Sequence, residues 1–285
     1  MLVIAGASGH LGRGAADELL RRVQPGNVRL LSRTPDRVAA FAARGADVRF
    51  ADLDDPASLP GAMAGGRRLL LISTDALDRR VTQHKAAIDA AVAAGVEHVI
   101  YTSVVSPEPE NPAAVVETHR RTEADLRGAP CAWTLLRNNL YAEYQEPELQ
   151  ASAASGRLVH NRGDGRAAYV SRLDCAAVAA AVLADDGHAG QAYDVTGPEA
   201  LSAADLARLY EELTGRTVEA QGIDDDAFVA TMTGDAEDGH LAYGARLVAS
   251  FGRAIREGHF ARVSDAVERL TGRPARSVRD VLATA

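Results

Sequence analysis

The sequence has few cysteines, and their placement excludes two kinds of site. Cys131 and Cys175 are the two cysteines among 285 residues, and neither belongs to a C-x-x-C pair or to a Cys/His pattern with zinc spacing. Both lie among apolar residues, so we expect small core side chains rather than a disulfide. Clustered carboxylates with metal-ligand spacing are also missing, and we expect no metal. This cysteine usage fits a reducing cytoplasm.

Long apolar runs and basic clusters are missing as well. No apolar run has the length of a membrane span, and the first residues run directly into a predicted strand without the charged segment and cleavage site of a signal peptide. We therefore expect a cytoplasmic protein that is not inserted in a membrane. The 31 Lys and Arg are outnumbered by 39 Asp and Glu, which gives a net charge of -8. Direct nucleic-acid binding is disfavoured, because no basic cluster is present to follow a phosphate backbone.

The hydrophobic residues, 47% of the chain, form short β-rich runs that alternate with segments of helical spacing. A chain of this length buries a core without disulfides or metals. The alternation predicts a parallel sheet covered by helices on both faces. The expected strands cover residues 2–5, 28–31, 48–51, 69–72, 99–103, 132–136 and 192–195.

These strands divide the chain into two parts. Residues 1–137 and 171–200 are expected to form an α/β domain of the Rossmann type, with a doubly wound parallel sheet. Residues 138–170 and 201–285 carry short helices, Gly-rich turns and few strong strands. We expect them to form a smaller, discontinuous α+β lobe that binds the substrate.

The clearest helix of that lobe begins after Ser202, a good N-cap residue, and ends at Thr214 and Gly215. Further along, the acidic segment 224–239 contains glycine and has two interpretations. It either covers a site as a mobile segment or forms a solvated helix pair with a loop.

The strongest local motif is the sequence GASGHLG directly after the first strand and directly before an amphipathic helix. Gly6 permits a tight turn, Gly9 lets backbone N–H groups approach a pyrophosphate, and Gly12 lets the helix pack close to the strand. The alternative is a Gly-rich turn without a ligand. The predicted dinucleotide contacts of this loop are Gly6, Ala7, Ser8, Gly9, His10, Leu11 and Gly12.

The end of the second strand indicates which dinucleotide is preferred. An NAD-binding site has an acidic residue there for the ribose hydroxyls, whereas this chain has Arg33. A guanidinium can pair with a 2′-phosphate, so we expect NADP(H) in preference to NAD(H). A helix starting at Thr34 and Pro35 would face the same phosphate, and Arg37 would add a second charge. The alternative is that Arg33 is a solvated surface residue.

The carboxyl ends of the next strands supply further candidates, because these ends line the ligand crevice of an open α/β sheet. Asp52 and Leu53 follow the third strand, and the Asp52 carboxylate would either meet the adenine amino group or cap the next helix. The fourth and fifth strands end in polar pairs. These are Ser73 with Thr74, and Thr102 with Ser103.

The segments named above resemble the NmrA-like branch of the atypical short-chain dehydrogenases, and within it the bacterial type 2 quinone oxidoreductases. Two further stretches carry the same resemblance, QHKAAIDAAVAAGVEHVIYTS and WTLLRNNLYAEY. The resemblance extends over most of the chain. It implies NADPH along the Gly-rich turn, with Arg33 at the 2′-phosphate. It also implies a substrate cleft between sheet and lobe, with residues 137–141, among them Asn138, Asn139 and Tyr141, beside the nicotinamide. A homodimer is compatible with it, although no apolar stripe in the sequence identifies an interface.

Typical short-chain dehydrogenases use a Ser together with a Tyr and a Lys at Y-x-x-x-K spacing, which is missing after the fifth strand. The corresponding helix carries His119 and Glu123 four residues apart, where the carboxylate would orient an imidazole able to donate a proton. The alternative is an ordinary pair on the helix surface. Ser103 and His119 are the catalytic candidates.

A quinone accepts hydride at an electron-poor ring and needs less help from an acid than a ketone does. Tyr141, Tyr144 and, less directly, Tyr101 would stack on such a flat acceptor, unless they are core residues. The leading hypothesis is therefore an NADPH-dependent oxidoreductase that reduces a quinone or similar aromatic carbonyl compound. The alternatives are a non-catalytic NADP(H) sensor that regulates a protein partner and a reductase of one biosynthetic metabolite, in which His119 or a tyrosine supplies the proton.

Overall fold

A computed structural model describes residues 1–234 and 239–284. Seven strands within these residues form one parallel sheet in the order β3-β2-β1-β4-β5-β6-β9, and two further pairs of short strands, β10-β8 and β11-β7, lie outside it. The strands are β1 (Leu2–Ala5), β2 (Val28–Ser32), β3 (Asp47–Phe50), β4 (Arg68–Leu71), β5 (His98–Val104), β6 (Ala132–Asn138), β7 (Arg157–His160), β8 (Arg166–Ala167), β9 (Gln191–Val195), β10 (Leu201–Ser202) and β11 (Glu219–Gly222).

Helices connect the strands and cover both faces of the parallel sheet. Within the described residues they are α1 (His10–Leu19), α2 (Ala39–Ala42), α3 (Leu59–Met63), α4 (Arg80–Ala93), α5 (Val116–Arg127), α6 (Gln145–Ser155), α7 (Arg172–Ala184), α8 (Ala203–Thr214), α9 (Asp225–Thr233), α10 (Gly239–Arg256), α11 (Ala266–Thr271) and α12 (Val278–Leu282). The predicted α/β fold of the Rossmann type is confirmed.

The strand order places the ligand crevice. Strand β1 pairs in parallel with β2 on one side and with β4 on the other, so the direction of winding reverses between β1 and β4. In open α/β sheets, ligands bind outside the carboxyl ends of the strands at this reversal. Strands β5 and β6 also extend beyond their predicted ends, to Val104 and Asn138, and carry their last residues over the crevice.

Successive side chains of each strand point to opposite faces of the sheet, and each face packs into its own apolar layer. Ile4 belongs to the layer covered by α1 and α7, and Val3 to the layer on the opposite face. The alanine-rich helix α7 permits close packing, since a Cβ built on Gly14 of α1 would lie 3.0 Å from that of Ala176. Small residues at this contact hold α1 firmly in its position above the sheet.

A third apolar cluster forms the smaller lobe around the fully buried Tyr210 and Phe260. Its membership differs from the expected division of the chain in two places. Val104, Val105 and Val116 pack into this cluster, whereas Ala266 and Val267 of α11 pack against the main domain. The two-part division with its exact boundaries stays a prediction.

One local expectation needs correction. The helix expected after Thr34 is a single 3-10 turn, Pro35–Val38, followed by the four-residue α2, and the Thr34 side chain forms no capping hydrogen bond. In the acidic segment 224–239, Asp224 caps α9, whereas residues 235–238 lie outside the described residues. No helix in the described part of the chain is long and apolar enough to cross a membrane.

The predicted N-cap of α8 is confirmed, because the Ser202 hydroxyl accepts a hydrogen bond from the Asp205 backbone N–H and the Asp205 carboxylate accepts one from the Ser202 backbone N–H. We expect Ser202→Ala to lower the free energy of unfolding by about 1 kcal/mol, since it leaves N–H groups of the first turn without a partner. Urea denaturation would measure this change. Thr82→Ala on the exposed face of α4 is the control, and an equal loss in both variants would contradict the assignment.

Candidate active site

A cleft of about 710 Å³ opens at the carboxyl ends of β1, β2, β4, β5 and β6 and continues to the smaller lobe. One end lies at the Gly-rich loop and at Arg33, and the other reaches Tyr144 and Phe251. Most of the predicted site residues therefore share one cleft. Those in its wall are Gly6, Ser8, Gly9, His10, Leu11, Gly12, Arg33, Asp52, Leu53, Ser73, Thr74, Ser103, His119, Asn138, Asn139, Tyr141 and Tyr144.

The Gly-rich loop is shaped by two glycines. Gly6 has φ of +85°, in the region that favours glycine. A Cβ on Gly12 would lie 2.3 Å from the Gly6 carbonyl oxygen, so a larger residue there would push α1 away from the loop. Both positions thus need glycine for the turn and for the close approach of helix and strand.

The beginning of α1 presents unpaired donors. Its N-cap, Gly9, provides no side-chain cap, and the backbone N–H groups of Ser8, His10, Leu11 and Gly12 form no hydrogen bond with other described residues. Such N–H groups at the positive end of a helix bind phosphate groups. This geometry fits a pyrophosphate.

Ala7 lies outside this arrangement, which corrects one prediction. Its backbone N–H donates to the Leu31 carbonyl oxygen at 3.1 Å, and the residue is fully buried outside the cleft wall. Ala7 therefore positions the loop on β2, and its N–H is not available to a ligand.

Two arginines mark the end of the cleft beside β2. Arg33 and Arg37 line it, and neither has an ion pair with a carboxylate among the described residues. The Asp52 carboxylate, expected either at adenine or at a helix cap, accepts a hydrogen bond from the Asp54 backbone N–H at 3.0 Å. Two guanidinium groups without an ion-pair partner form a suitable site for a phosphate monoester.

Thr102 holds the floor of the cleft from below. Its hydroxyl accepts a hydrogen bond from the Ser73 backbone N–H at 2.8 Å, and the side chain is buried beneath the wall. Thr102 therefore ties the ends of β4 and β5 together, and its predicted contact with the cofactor does not agree with this placement. Thr74 stays in the wall and donates from its hydroxyl to the Gln83 side-chain oxygen at 2.7 Å.

Two tyrosine rings and an arginine side chain lie together at the other end of the cleft. We call this group, Tyr141, Tyr144 and Arg172, the shelf. The ring centroids of Tyr141 and Tyr144 lie 5.9 Å apart, and the guanidinium carbon of Arg172 lies 5.1 and 4.8 Å from them. Tyr144 is 59% exposed. The shelf thus offers two rings tilted by 41°, one of them exposed, with a positive charge beside them.

Two asparagines between shelf and sheet have different surroundings. Asn138 is buried, its Nδ2 donates to the Tyr141 hydroxyl at 3.4 Å, and its Oδ1 has no hydrogen-bond partner in the described part of the chain. A buried polar atom without a partner beside a cleft indicates a ligand group. Asn139 instead joins the lobe to the sheet, because its Nδ2 donates to the Phe260 carbonyl and its Oδ1 accepts from the Leu140 backbone N–H. Its contact with a substrate stays a prediction.

Beneath the cleft, Glu123 is bound by partners other than His119. Its carboxylate accepts hydrogen bonds from the Ser103 hydroxyl at 2.7 Å and from the Arg137 guanidinium at 2.8 Å, and the residue is 1% exposed. The expectation that Glu123 orients His119 is therefore wrong. The reason is the packing of α5 beside the carboxyl ends of β5 and β6, which places Ser103 and Arg137 within hydrogen-bond distance of the carboxylate.

His119 is held by Tyr101 and Arg80. Its Nδ1 lies 2.7 Å from the Tyr101 hydroxyl, and its Nε2 lies 3.4 Å from Nη1 of Arg80. Because arginine only donates, Nε2 is assigned as the acceptor and Nδ1 as the protonated nitrogen. Burial and the positive charge of Arg80 hold the pKa of His119 well below its usual range. The imidazole is therefore neutral, and Tyr101 is a core residue outside the cleft wall.

Arg80 and Arg172 line the cleft but were missed by sequence reasoning. One signal for Arg80 was present. It occupies the first position of α4, where the positive end of the helix disfavours a cation. A residue that violates a local rule in this way is a candidate for function. Arg172 had no comparable signal, because its neighbours Tyr141 and Tyr144 come from a distant segment.

The site has the parts of a nucleotide-dependent reductase. A helix N-terminus with unpaired N–H groups, two arginines without ion pairs and an aromatic shelf lie along one cleft. This combination defines the class of NAD(P)H-dependent oxidoreductases with a Rossmann-type fold.

Comparison with known proteins agrees with this class. A family model described as NAD(P)H-binding matches residues 6–186. Quinone oxidoreductase 2 of Escherichia coli is 34% identical over 232 residues, 81% of each chain, and an NAD(P)H azoreductase of Xenophilus azovorans is 28% identical over 97% of this chain and 95% of its own. The chain belongs to the NAD(P)H-binding family, and it is an oxidoreductase.

Solved structures extend the likeness to the smaller lobe. The NADPH complex of the E. coli NADPH-dependent quinone oxidoreductase has a TM-score of 0.95 at 31% identity and covers 100% of this chain and 99% of its own. The NADP(H) complex of the Citrobacter sp. triphenylmethane reductase has a TM-score of 0.93 at 28% identity, with 100% of both chains covered. The likeness therefore includes the lobe that closes the cleft.

Buried neutral histidines below the cleft predict how stability depends on pH. Burial lowers the pKa of His84 to about 3. Between this value and the usual pKa near 6.5, the unfolded chain binds one proton more than the folded chain, so the free energy of unfolding falls as pH falls below about 6.5.

We expect His84→Gln to remove this contribution, because glutamine does not titrate and retains a donor and an acceptor for Thr122 and the Thr74 backbone N–H. The slope of unfolding free energy against pH, measured in urea between pH 6 and pH 5, should fall by about 1.4 kcal/mol per pH unit. Above pH 7.5 the difference between variant and wild type should be constant. An unchanged slope would contradict the assignment of a neutral His84.

Proposed function

We propose that the protein is an NADPH-dependent reductase of quinones or similar flat, conjugated acceptors. The observation that carries this proposal is the single open cleft that joins a dinucleotide-binding loop to the shelf of Tyr141, Tyr144 and Arg172. The first end fits a nucleotide, and the second end fits an aromatic acceptor.

The nucleotide would lie along the carboxyl edge of the sheet. The free N–H groups of Ser8, His10 and Leu11 would hold its pyrophosphate, and Arg33 and Arg37 would hold the 2′-phosphate that distinguishes NADPH from NADH. The unpartnered Oδ1 of Asn138 would accept a hydrogen bond from the carboxamide of the nicotinamide. When bound, NADPH supplies hydride from C4 of its nicotinamide ring.

The acceptor would lie against the exposed ring of Tyr144. A flat ring on this shelf gains stacking contacts, and the guanidinium of Arg172 favours an electron-rich or anionic substituent. The shelf orients the acceptor and excludes water from one of its faces. Holding two reactants in contact in this manner is an effective catalytic device for hydride transfer.

A strong acid at the acceptor is not required for this chemistry. Reducing a quinone gives a stabilised oxyanion, whereas reducing a ketone gives an alkoxide that needs a proton at once. The neutral His119, with both ring nitrogens engaged, is a poor proton donor. These properties favour quinone reduction over a metabolite reductase in which His119 supplies the proton.

The room in the cleft argues against the other alternative, a nucleotide sensor without activity. A sensor needs no room for an acceptor, whereas the cleft continues past Asn138 to the shelf and to Phe251. The names of the relatives, quinone oxidoreductase, azoreductase and triphenylmethane reductase, all denote reductases. Both observations support an enzyme.

The test of this function is the oxidation of NADPH by purified protein with a panel of benzoquinones, naphthoquinones and azo dyes. We expect turnover that saturates with the quinone, followed as the loss of NADPH absorbance. Nucleotide binding is measured separately by fluorescence. Tight binding of NADPH with no turnover on the whole panel would reject the proposal.

The nucleotide preference is tested by Arg33→Glu, which replaces an attraction for the 2′-phosphate by a repulsion. We expect kcat/KM for NADPH to fall by roughly 10- to 100-fold, while kcat/KM for NADH stays the same or rises. Arg22→Glu makes the same charge change in the exposed turn after α1 and serves as the control. A parallel fall with both nucleotides would mean that Arg33 does not recognise the 2′-phosphate.

A further inference from the structure

Arg80 is a cation buried in the wall of the cleft. It is 6% exposed and occupies the first turn of α4, directly after the loop that leaves the carboxyl end of β4. Burying a guanidinium costs free energy, and the positive end of α4 adds to this cost. A protein keeps such a charge where a ligand or a reaction uses it.

Three hydrogen bonds fix the orientation of the guanidinium. Nε donates to the Thr74 carbonyl oxygen at 2.7 Å, and Nη1 lies 3.1 Å from the Thr118 hydroxyl and 3.4 Å from Nε2 of His119. Nη2 has no hydrogen-bond partner among residues 1–234 and 239–284, and it is not fully enclosed by protein atoms. Nη2 is therefore the part of the group that retains access to the cleft.

The partners of Arg80 are neutral, so its charge is not compensated by them. No carboxylate of the described residues lies within ion-pair distance of the guanidinium, in contrast with neighbouring Arg79, which pairs with Asp54 at 2.7 Å. His119 stays uncharged beside it. Arginine remains protonated in proteins, so the cleft contains a fixed positive charge with free donor capacity.

Arg80 lines the same part of the site as residues that are expected near the reacting atoms. His119, its neighbour, lies on the helix that carries the proton-donating tyrosine in typical short-chain dehydrogenases, and Ser103 and Asn138 line the same cleft. Arg80 therefore presents a hydrogen-bond donor to the cleft that these residues line.

We propose that Arg80 binds the carbonyl oxygen of the acceptor and stabilises the negative charge that develops on this oxygen during hydride transfer. This inference rests on the proposed function and names the residue that replaces the Tyr/Lys pair. Thr74, Thr118 and His119 act as positioning residues, because they hold the guanidinium without touching the acceptor.

The electron balance assigns Arg80 an electrostatic role. The C4–H bond of NADPH would break and a C–H bond would form at a ring carbon of the quinone, with both electrons of the hydride, which leaves NADP+. The π electrons of the conjugated C=C and C=O bonds shift onto the carbonyl oxygen that Arg80 binds and make it an enolate oxyanion. Solvent protonates this oxygen, and the proton on the reduced ring carbon moves through solvent to the second carbonyl oxygen, which gives the hydroquinone. Arg80 donates hydrogen bonds throughout and keeps its protons. A fixed charge of this kind is worth more in a buried site than in water.

The first experiment compares Arg80→Met and Arg80→Lys with the wild type. We expect Arg80→Met to lower kcat for quinones by about 10²-fold, with the Kd of NADPH measured by fluorescence unchanged, and Arg80→Lys to retain part of the lost rate. Arg121→Met, an exposed arginine of α5, is the matched control. Weaker NADPH binding with unchanged kcat would overturn the proposal, since Arg80 would then be a nucleotide contact.

The second experiment does not depend on turnover and so separates the two proposals. 4-Nitrophenol is titrated into protein saturated with NADP+, and its absorbance reports whether it binds as phenol or phenolate. We expect wild type and Arg121→Met to bind the phenolate preferentially, and Arg80→Met to lose this preference. Phenolate binding that depends on Arg80 would support the oxyanion site even if no quinone were reduced. The same preference in Arg80→Met, or no binding to the wild type, would overturn it.

Discussion

The contact between Gly12 and the Gly6 carbonyl is the constraint on which the site depends. A side chain at position 12 would collide with this carbonyl, so the beginning of α1 approaches β1 as closely as backbone atoms allow. This approach aims the free N–H groups of the first turn over the edge of the sheet. The packing of Gly14 on Ala176 then holds α1 from the other side, against α7. Because both contacts use small residues, the helix has little freedom to move and its N-terminus is preorganised for an anion.

The polar side chains below the cleft are also held in fixed positions, in their case by hydrogen bonds. Buried polar groups are stable when every group finds a partner, and here Glu123 binds Ser103 and Arg137 while Tyr101 binds His119. These bonds cross from β5 to α5 and β6, so they fix the floor on which a ring would rest. Two atoms of this wall are exceptions, Oδ1 of Asn138 and Nη2 of Arg80. An acceptor and a donor left free in a layer that is otherwise paired are suited to a ligand.

The smaller lobe completes the site by joining segments that are far apart in the chain. Asn139, at the exit of β6, binds the carbonyl of Phe260, 121 residues further on, and this bond brings the lobe against the sheet. Directly after it come Tyr141 and Tyr144, and Arg172 reaches them from the start of α7. One end of the cleft thus depends on local backbone geometry and the other on long-range packing.

Short-range sequence patterns were sufficient to predict the fold class and the seven strands of the sheet, and they supply the residues predicted to bind the nucleotide. These follow from short-range rules, since alternating apolar residues, a Gly-rich turn before a helix and an arginine after β2 act within a few residues of one another. The cap of α8 at Ser202 was predictable for the same reason. The strands β5 and β6 ran further than predicted, because pairing between them extends to Val104 and Asn138.

Which polar side chains face the cleft, and which pair with each other, depends on contacts between distant segments. Thr102 and Ser103 are adjacent in sequence, yet one lies beneath the wall and the other in it, because successive strand residues point to opposite faces. Glu123 stands one helical turn from His119 but pairs with Arg137 of the neighbouring strand, which comes closer once the sheet has formed. The shelf and the contacts that orient Arg80 towards Thr118 and His119 likewise exist only after distant segments pack together. Hydrogen-bond partners are chosen by distance in three dimensions, which spacing along the chain does not fix.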